Sequence, residues 1–163
     1  MIHQREAVRA IVISPAVEVL LEELGEPGGP SFWVTPGGGL QPGESAESAL
    51  RRELAEELGL VQFEIGPLLL RRRHTFSWLG RRIRQSEQLF AVETERFEPR
   101  FRDPVEAQVF RGFRWWTIDE LRDTSESVTP ASLATLVVNF VERGAPAVVE
   151  LEVREDPPRP APT

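Results

Sequence analysis

Three carboxylates crowd the segment "RRELAEELG" (51–59): Glu53, Glu56 and Glu57. In a helix of about 3.6 residues per turn, positions three and four apart are surface neighbours, so like charges at that spacing repel. A solvated, salt-bridged helix face accounts for part of the segment, because Glu47 can pair with Arg51 and Arg52 with Glu56 at i,i+4. It leaves Glu53 and Glu57 unrelieved: their neighbours three and four positions away are Ala, Leu, Val or another Glu. Two unrelieved carboxylates facing each other are what a hard, oxygen-seeking cation such as Mg²⁺ requires. On the same spacing argument Glu56, which shares Arg52, should contribute less to metal affinity than Glu53 or Glu57.

Immediately upstream, "TPGGGLQPGE" (35–44) carries glycines and prolines that break helix and regular strand alike. Its three consecutive glycines allow unusual dihedrals and a close approach of backbone to ligand, although an ordinary glycine turn would look the same in isolation. The loop feeds straight into the carboxylate helix. Gly38 is followed by five residues, Glu44, seven residues and then "RELAEELGL". This resembles the Nudix box, G-x5-E-x7-R-E-U-x-E-E-x-G-U with U aliphatic. Every fixed position is met, by Gly38, Glu44, Arg52, Glu53, Leu54, Glu56, Glu57, Gly59 and Leu60. Nine constrained positions within residues 38–60 make a chance match very rare.

The resemblance implies a Nudix hydrolase, which cleaves a nucleoside diphosphate linked to another moiety. The fold it implies is α/β, an α/β/α sandwich with a central mixed β-sheet in which the box forms a loop–helix–loop. Carried over residue by residue, it makes Glu53, Glu56 and Glu57 the catalytic ligands of Mg²⁺ or Mn²⁺, joined by a backbone carbonyl near Gly38. Arg52 would orient Glu53, Glu44 would tie the loop to the helix through Arg52, and Gly59 would stop the helix. Divalent ions suit this chemistry because they bridge phosphate oxygens, lower the pKa of a bound water and stabilise the in-line transition state. A general base must also take the water's proton. In some Nudix members it is a box glutamate and in others it lies on a separate loop, so Glu106 is a candidate extra ligand or base, with a plain loop-surface role as the alternative.

The substrate's other half is less legible. Arg71, Arg72, Arg73, Arg81, Arg82 and Arg84 flank one hairpin, and Arg71 and Arg73 are candidate substrate contacts. Arginines there could clamp phosphates bidentately or simply protect an exposed sheet edge. Phe76, Trp78, Trp115 and Trp116 could stack a base or fill the core, and His74 reads as structural. The chain has no Tyr, no proline in "HTFSW", no SQPWPFPxS array and no Cys. Those absences count against the diadenosine polyphosphate, ADP-ribose, NADH and isopentenyl diphosphate branches of the family. Two other classes stay open: an RNA 5′-end pyrophosphohydrolase, and a non-catalytic nucleotide sensor, although sensors usually lose box carboxylates.

Strands and helices must position these groups. "AVRAIVIS" (7–14) and "VEVLLEEL" (17–24) read as neighbouring strands, and "SFWVT" (31–35) as a short strand entering the glycine loop. Residues 45–58 have helical periodicity, with Ala46, Leu50, Leu54 and Leu58 as the apolar stripe. "FEIGPLLLRRRHTFSW" and "SEQLFAVET" are strands joined by a turn near Gly80. "GFRWWT" is another strand, "IDELRD" a short helix, and "PASLATLVVNFVERG" a C-terminal helix ending at Gly144. One domain over 1–153 is expected, with 154–163 a disordered tail.

Composition bounds the setting. At 163 residues with 40% hydrophobic content, the chain can bury one sizeable core. The absence of Cys excludes disulfides, thiolate zinc sites and a thiol nucleophile. The net charge of −7 argues against general nucleic-acid binding, and all 19 basic residues are Arg. No apolar run approaches the roughly 18 residues of a membrane span, and "MIHQREAVRA" is too polar for a signal peptide. The expectation is a cytoplasmic protein, with a homodimer left open, whose partner is a small nucleotide-type molecule rather than a membrane.

Overall fold

The apolar run "AVRAIVI" forms the inner half of a longer strand, β1 (Ile2–Ile13), whose alternate residues face opposite ways. Val8, Ala10 and Val12 pack on one side against Ala49, Leu50, Leu54 and Leu58 of helix α1 (Ala46–Leu58). Ile11 and Ile13 pack on the other against Leu133, Leu136 and Val137 of α3 (Leu133–Arg143). A strand buried on both faces is why this run is continuously apolar. The result is the expected α/β/α layering, seen in a computed structural model that describes residues 1–102, 107–144 and 148–154.

The remaining elements are β2 (Glu18–Gly25), β3 (Ser31–Val34), β4 (Gly37–Gly39), β5 (Leu68–Trp78), β6 (Arg81–Glu93), β7 (Phe110–Thr117), α2 (Ile118–Asp123), β8 (Val128–Thr129) and β9 (Val149–Arg154). The sheet runs β8-β3-β2-β1-β6-β5-β9, with β4 also on β1 and β7 also on β2. It is mixed. β1 and β6 are parallel from Ile2↔Arg82 to Ile13↔Glu93, whereas β5 and β6 form an antiparallel hairpin turned at Leu79 and Gly80, both at positive φ.

Three differences from the sequence reading matter for the site. β1 and β2 are neighbours only at their turn, where Ile13 pairs with Val19; beyond it β2 takes β3 and β7 while β1 takes β4 and β6. The sheet therefore splits into two arms, and a cleft opens between them. The glycine loop, expected to be neither helix nor strand, contributes β4, antiparallel to β1 with Gly38 opposite Val8. Glycine pairs here because the strands approach too closely for side chains. The short strands β8 and β9 were not expected, since two and six residues carry little periodic signal. β9 ends at Arg154, and residues 155–163 of the expected tail lie outside the described residues.

Candidate active site

Helix α1 presents the glutamates at an angle fixed by its ends. The Ser45 hydroxyl accepts the Ser48 N–H at 3.1 Å, an N-terminal cap. Gly59, at φ 68, closes the helix with its N–H on the Ala55 carbonyl, and Leu60 reaches back to Leu54. Between the caps, packing of Leu50, Leu54 and Leu58 on the sheet rotates Glu53 and Glu57 to the edge of the buried face. They are 8% and 2% exposed, whereas the Glu56 side chain is 46% exposed.

β4 slides past this edge. The Gly37 N–H donates to Glu57 Oε2 at 2.9 Å. A Cβ on Gly38 would lie 2.6 Å from the Glu53 carboxylate, and one on Gly37, at φ 144, would lie 2.2 Å from the Val8 carbonyl oxygen. The missing side chains let Glu53 rest directly against backbone. Burial pushes the Glu57 carboxyl well above its ordinary range, and Glu22 on β2 and then Glu53 push it further, against the Gly37 N–H and the Arg9 charge. Buried as they are, these carboxylates are screened less by solvent than an exposed helical pair.

Arg52 keeps the expected i,i+4 pair with Glu56, but as the longest of its contacts. Its Nε and Nη2 grip Glu44 at 2.8 Å each, a bidentate fork, and Nη2 also donates to the Gly39 carbonyl at 3.0 Å. Nη1 reaches Glu53 at 2.9 Å and Glu56 only at 3.5 Å. Glu53 therefore has the cation that its three- and four-residue neighbours could not supply, and Glu56 has little of it. Glu44 is held to about 2 by Arg52, helped by the Gln41 N–H. The expected tie between loop and helix is present. So is the surface pair of Glu47 and Arg51, at 3.6 Å.

The cleft beside Gly37 and Gly38 has a volume of about 380 Å³ and takes walls from both arms of the sheet. Phe32, Phe76 and Trp78 form an aromatic side, with Phe32 and Trp78 edge to face at 5.6 Å. Arg9, Glu22, Arg72, His74, Gln85 and Glu87 form a polar side. Sequence reasoning missed Arg9, Glu22 and Glu87. The signal for Arg9 was available: it is the lone charge in "AVRAIVI", a run otherwise buried on both faces. Arg9 Nε bonds Glu87 Oε1 at 3.0 Å and Arg72 Nε bonds Glu87 Oε2 at 2.6 Å. Burial alone would raise the Glu87 carboxyl, but the two guanidiniums and Gln85 hold it down to about 2.

Other candidates fall elsewhere. Arg71 and Arg73 point to the opposite face of β5, into a separate depression with Glu6, Glu150 and Glu152, and are not brought to the carboxylates. The period of two in a strand explains the split: of that triplet only Arg72 faces the cleft. Trp116 is core, edge to face with Trp33 at 5.2 Å, while Phe76 and Trp78 line the cleft. Glu106 lies outside the described residues. No helix among the described residues is long and apolar enough to cross a membrane.

The donor set suits a hard divalent cation: carboxylate oxygens beside a glycine cradle that a Cβ would fill. As placed, no three acidic or imidazole side chains converge tightly enough to ligate one ion among the described residues. Glu56, the exposed member, is the one with room to move.

Comparison with known proteins bears on the whole fold. The nucleoside triphosphatase NudI of Escherichia coli O1:K1 / APEC is 55% identical over 40 residues, 23% of this chain and only 28% of that relative. A MutT NUDIX hydrolase from Burkholderia pseudomallei superposes with a TM-score of 0.63 at 24% identity, over 82% of this chain and 96% of that one. The MutT protein of Methanosarcina mazei Go1 does so at 0.62 and 18%, over 86% and 94%. The family model of the NUDIX domain matches residues 3–136, most of the described fold and the whole of the box, and the chain belongs to that family of hydrolases of phosphorus-containing anhydrides.

Proposed function

We propose that this chain hydrolyses a pyrophosphate linkage in a nucleoside diphosphate joined to another moiety, with Mg²⁺ or Mn²⁺ held by Glu53, Glu56, Glu57 and the Gly38 carbonyl. The observation that carries it is the seating of two buried glutamates on the Gly37–Gly38 backbone, at the mouth of a cleft with one aromatic and one polar side. The bound ion would neutralise phosphate charge and acidify a water. The chain's own residues do the rest. Arg52 fixes Glu53 and the loop at Gly39 together, Gly37 fixes Glu57, and the hydrophobic packing of α1 holds both against drift. Phe32 and Trp78 offer ring edges and faces to a planar base. The short match to NudI makes nucleoside triphosphates the first substrates to try.

The reading includes a small-molecule partner and a cytoplasmic setting. It is tested by incubating the protein with nucleoside triphosphates, nucleotide sugars, dinucleoside polyphosphates and triphosphorylated RNA. Released phosphate and pyrophosphate are scored with Mg²⁺, with Mn²⁺ and after thorough chelation. Turnover of a nucleotide that vanishes with EDTA and returns with metal is expected. Turnover that survives chelation refutes the assignment, turnover of RNA alone points to the polymer substrate, and tight nucleotide binding without hydrolysis points to a sensor.

A further inference from the structure

We propose that Arg9 is a positioning residue for Glu57: anchored on Glu87, it holds the backbone at Thr35 and thereby fixes the Gly37 N–H that grips the Glu57 carboxylate. The contacts form an unbroken chain. Arg9 Nε bonds Glu87 at 3.0 Å while its Nη1 bonds the Thr35 carbonyl at 2.8 Å. The next residue, Ala10, donates its N–H to the Pro36 carbonyl at 2.9 Å. Gly37, opposite Arg9 in the β1–β4 pairing, then donates to Glu57 at 2.9 Å. The anchor does not depend on Arg9, because Arg72 holds the other carboxylate oxygen of Glu87 and Gln85 donates to the same oxygen as Arg9. Only a planar fork can serve Glu87 and Thr35 at once, since its donors leave in fixed, divergent directions. The Arg9 charge also acts on Glu57 across the intervening space. Glu57 on α1 is thus set from the far side of β4 by a residue with no place in the box.

The inference rests on the reading of Glu57 as part of the hydrolytic site, and its test separates the two. Arg9→Met keeps the stem and leaves Glu87 paired; Arg9→Lys keeps the charge without the fork. Amide hydrogen exchange is measured by NMR in metal-free buffer, together with kcat and KM on the best nucleotide substrate. In both variants the Gly37 amide should exchange at least about tenfold faster, while Val12 and Val92 in the β1–β6 ladder keep their protection. In both, kcat should fall about 10- to 100-fold with KM nearly unchanged, as for a displaced catalytic group. Unchanged exchange at Gly37, or acceleration across the whole sheet, overturns the proposal, as does rescue of both readouts by Lys. Should Arg9→Met fail to fold, Arg9→Lys gives the same exchange readout. Should the wild-type protein hydrolyse nothing, the proposed function fails while the exchange data still decide the relay.

Discussion

Replacing Glu87 by Gln removes a carboxylate shared by the buried Arg72 and the partly buried Arg9. Glu87 is 3% exposed and Arg72 is 5% exposed, so neither charge can turn to water without local unfolding. Holding a carboxyl at about 2 instead of 4.5 corresponds to on the order of 3 kcal/mol of folding free energy at neutral pH. Breaking a buried pair by removing one partner costs about 3–5 kcal/mol by a separate route, which agrees. In a domain of this size that lowers the thermal midpoint by roughly 6–12 °C. The sign of the pH dependence follows from the depressed pKa. The Glu87 contribution is fully present above about 4.5 and is lost as the pH falls towards about 2. Thermal unfolding followed by circular dichroism at neutral pH and through the acid range should therefore show a wild-type-minus-variant gap that closes on acidification. A gap below about 1 kcal/mol at neutral pH, or one independent of pH, would show that the Arg9–Glu87–Arg72 bridge merely offsets its own desolvation.

Two further substitutions probe the glycine cradle and its carboxylates. Gly38→Ala places a Cβ 2.6 Å from the end of the Glu53 side chain, which must move; kcat/KM should drop on the order of 10²-fold with little change in thermal midpoint, and full activity would refute the close-seating argument. Glu57→Gln keeps an acceptor for the Gly37 N–H and removes a charge that burial and Glu22 disfavour, so the metal-free protein should melt no lower than wild type while activity is lost. A clear fall in its metal-free midpoint would mean that attraction to Arg9 outweighs the repulsion.

The box helix was legible almost to the residue because its signals are local and agree with one another. Ser45 caps, three leucines set the buried face and Gly59 terminates. The layered fold was legible from strands of doubly buried composition. The splitting of the sheet was not, because β1 and β2 are adjacent in the chain and only long-range pairings with β4, β6 and β7 pull them apart. Pairing of β4 was hidden by its own glycines, whose low strand propensity is overridden here by the need for close approach. The polar wall of the cleft escaped notice for a related reason. Arg9 lies far in sequence from Gln85 and Glu87, and all three look ordinary until the parallel ladder sets Arg9 beside Leu89 and within reach of Glu87.

The order of the glutamates shows where spacing arguments stop. Counting three and four residues along α1 gave Arg52 to Glu56 and left Glu53 without a cation. The Glu56 contact is present at 3.5 Å, but the guanidinium turns chiefly to Glu44, eight residues back, where two parallel hydrogen bonds satisfy its planar fork and the loop carbonyl of Gly39 completes the set. Nη1, left over, falls to the adjacent Glu53. Glu56 remains the least constrained of the three, but because it faces solvent and makes only a 3.5 Å contact, rather than because Arg52 neutralises it. Glu57 becomes the most constrained, buried between β4 and Glu22 with its geometry set by backbone. An isolated helix would disfavour this arrangement; the fold sustains it because α1 is clamped at both caps and pressed onto the sheet by its leucines. Local repulsion of this kind, held in place by packing, is what the proposed cation would relieve.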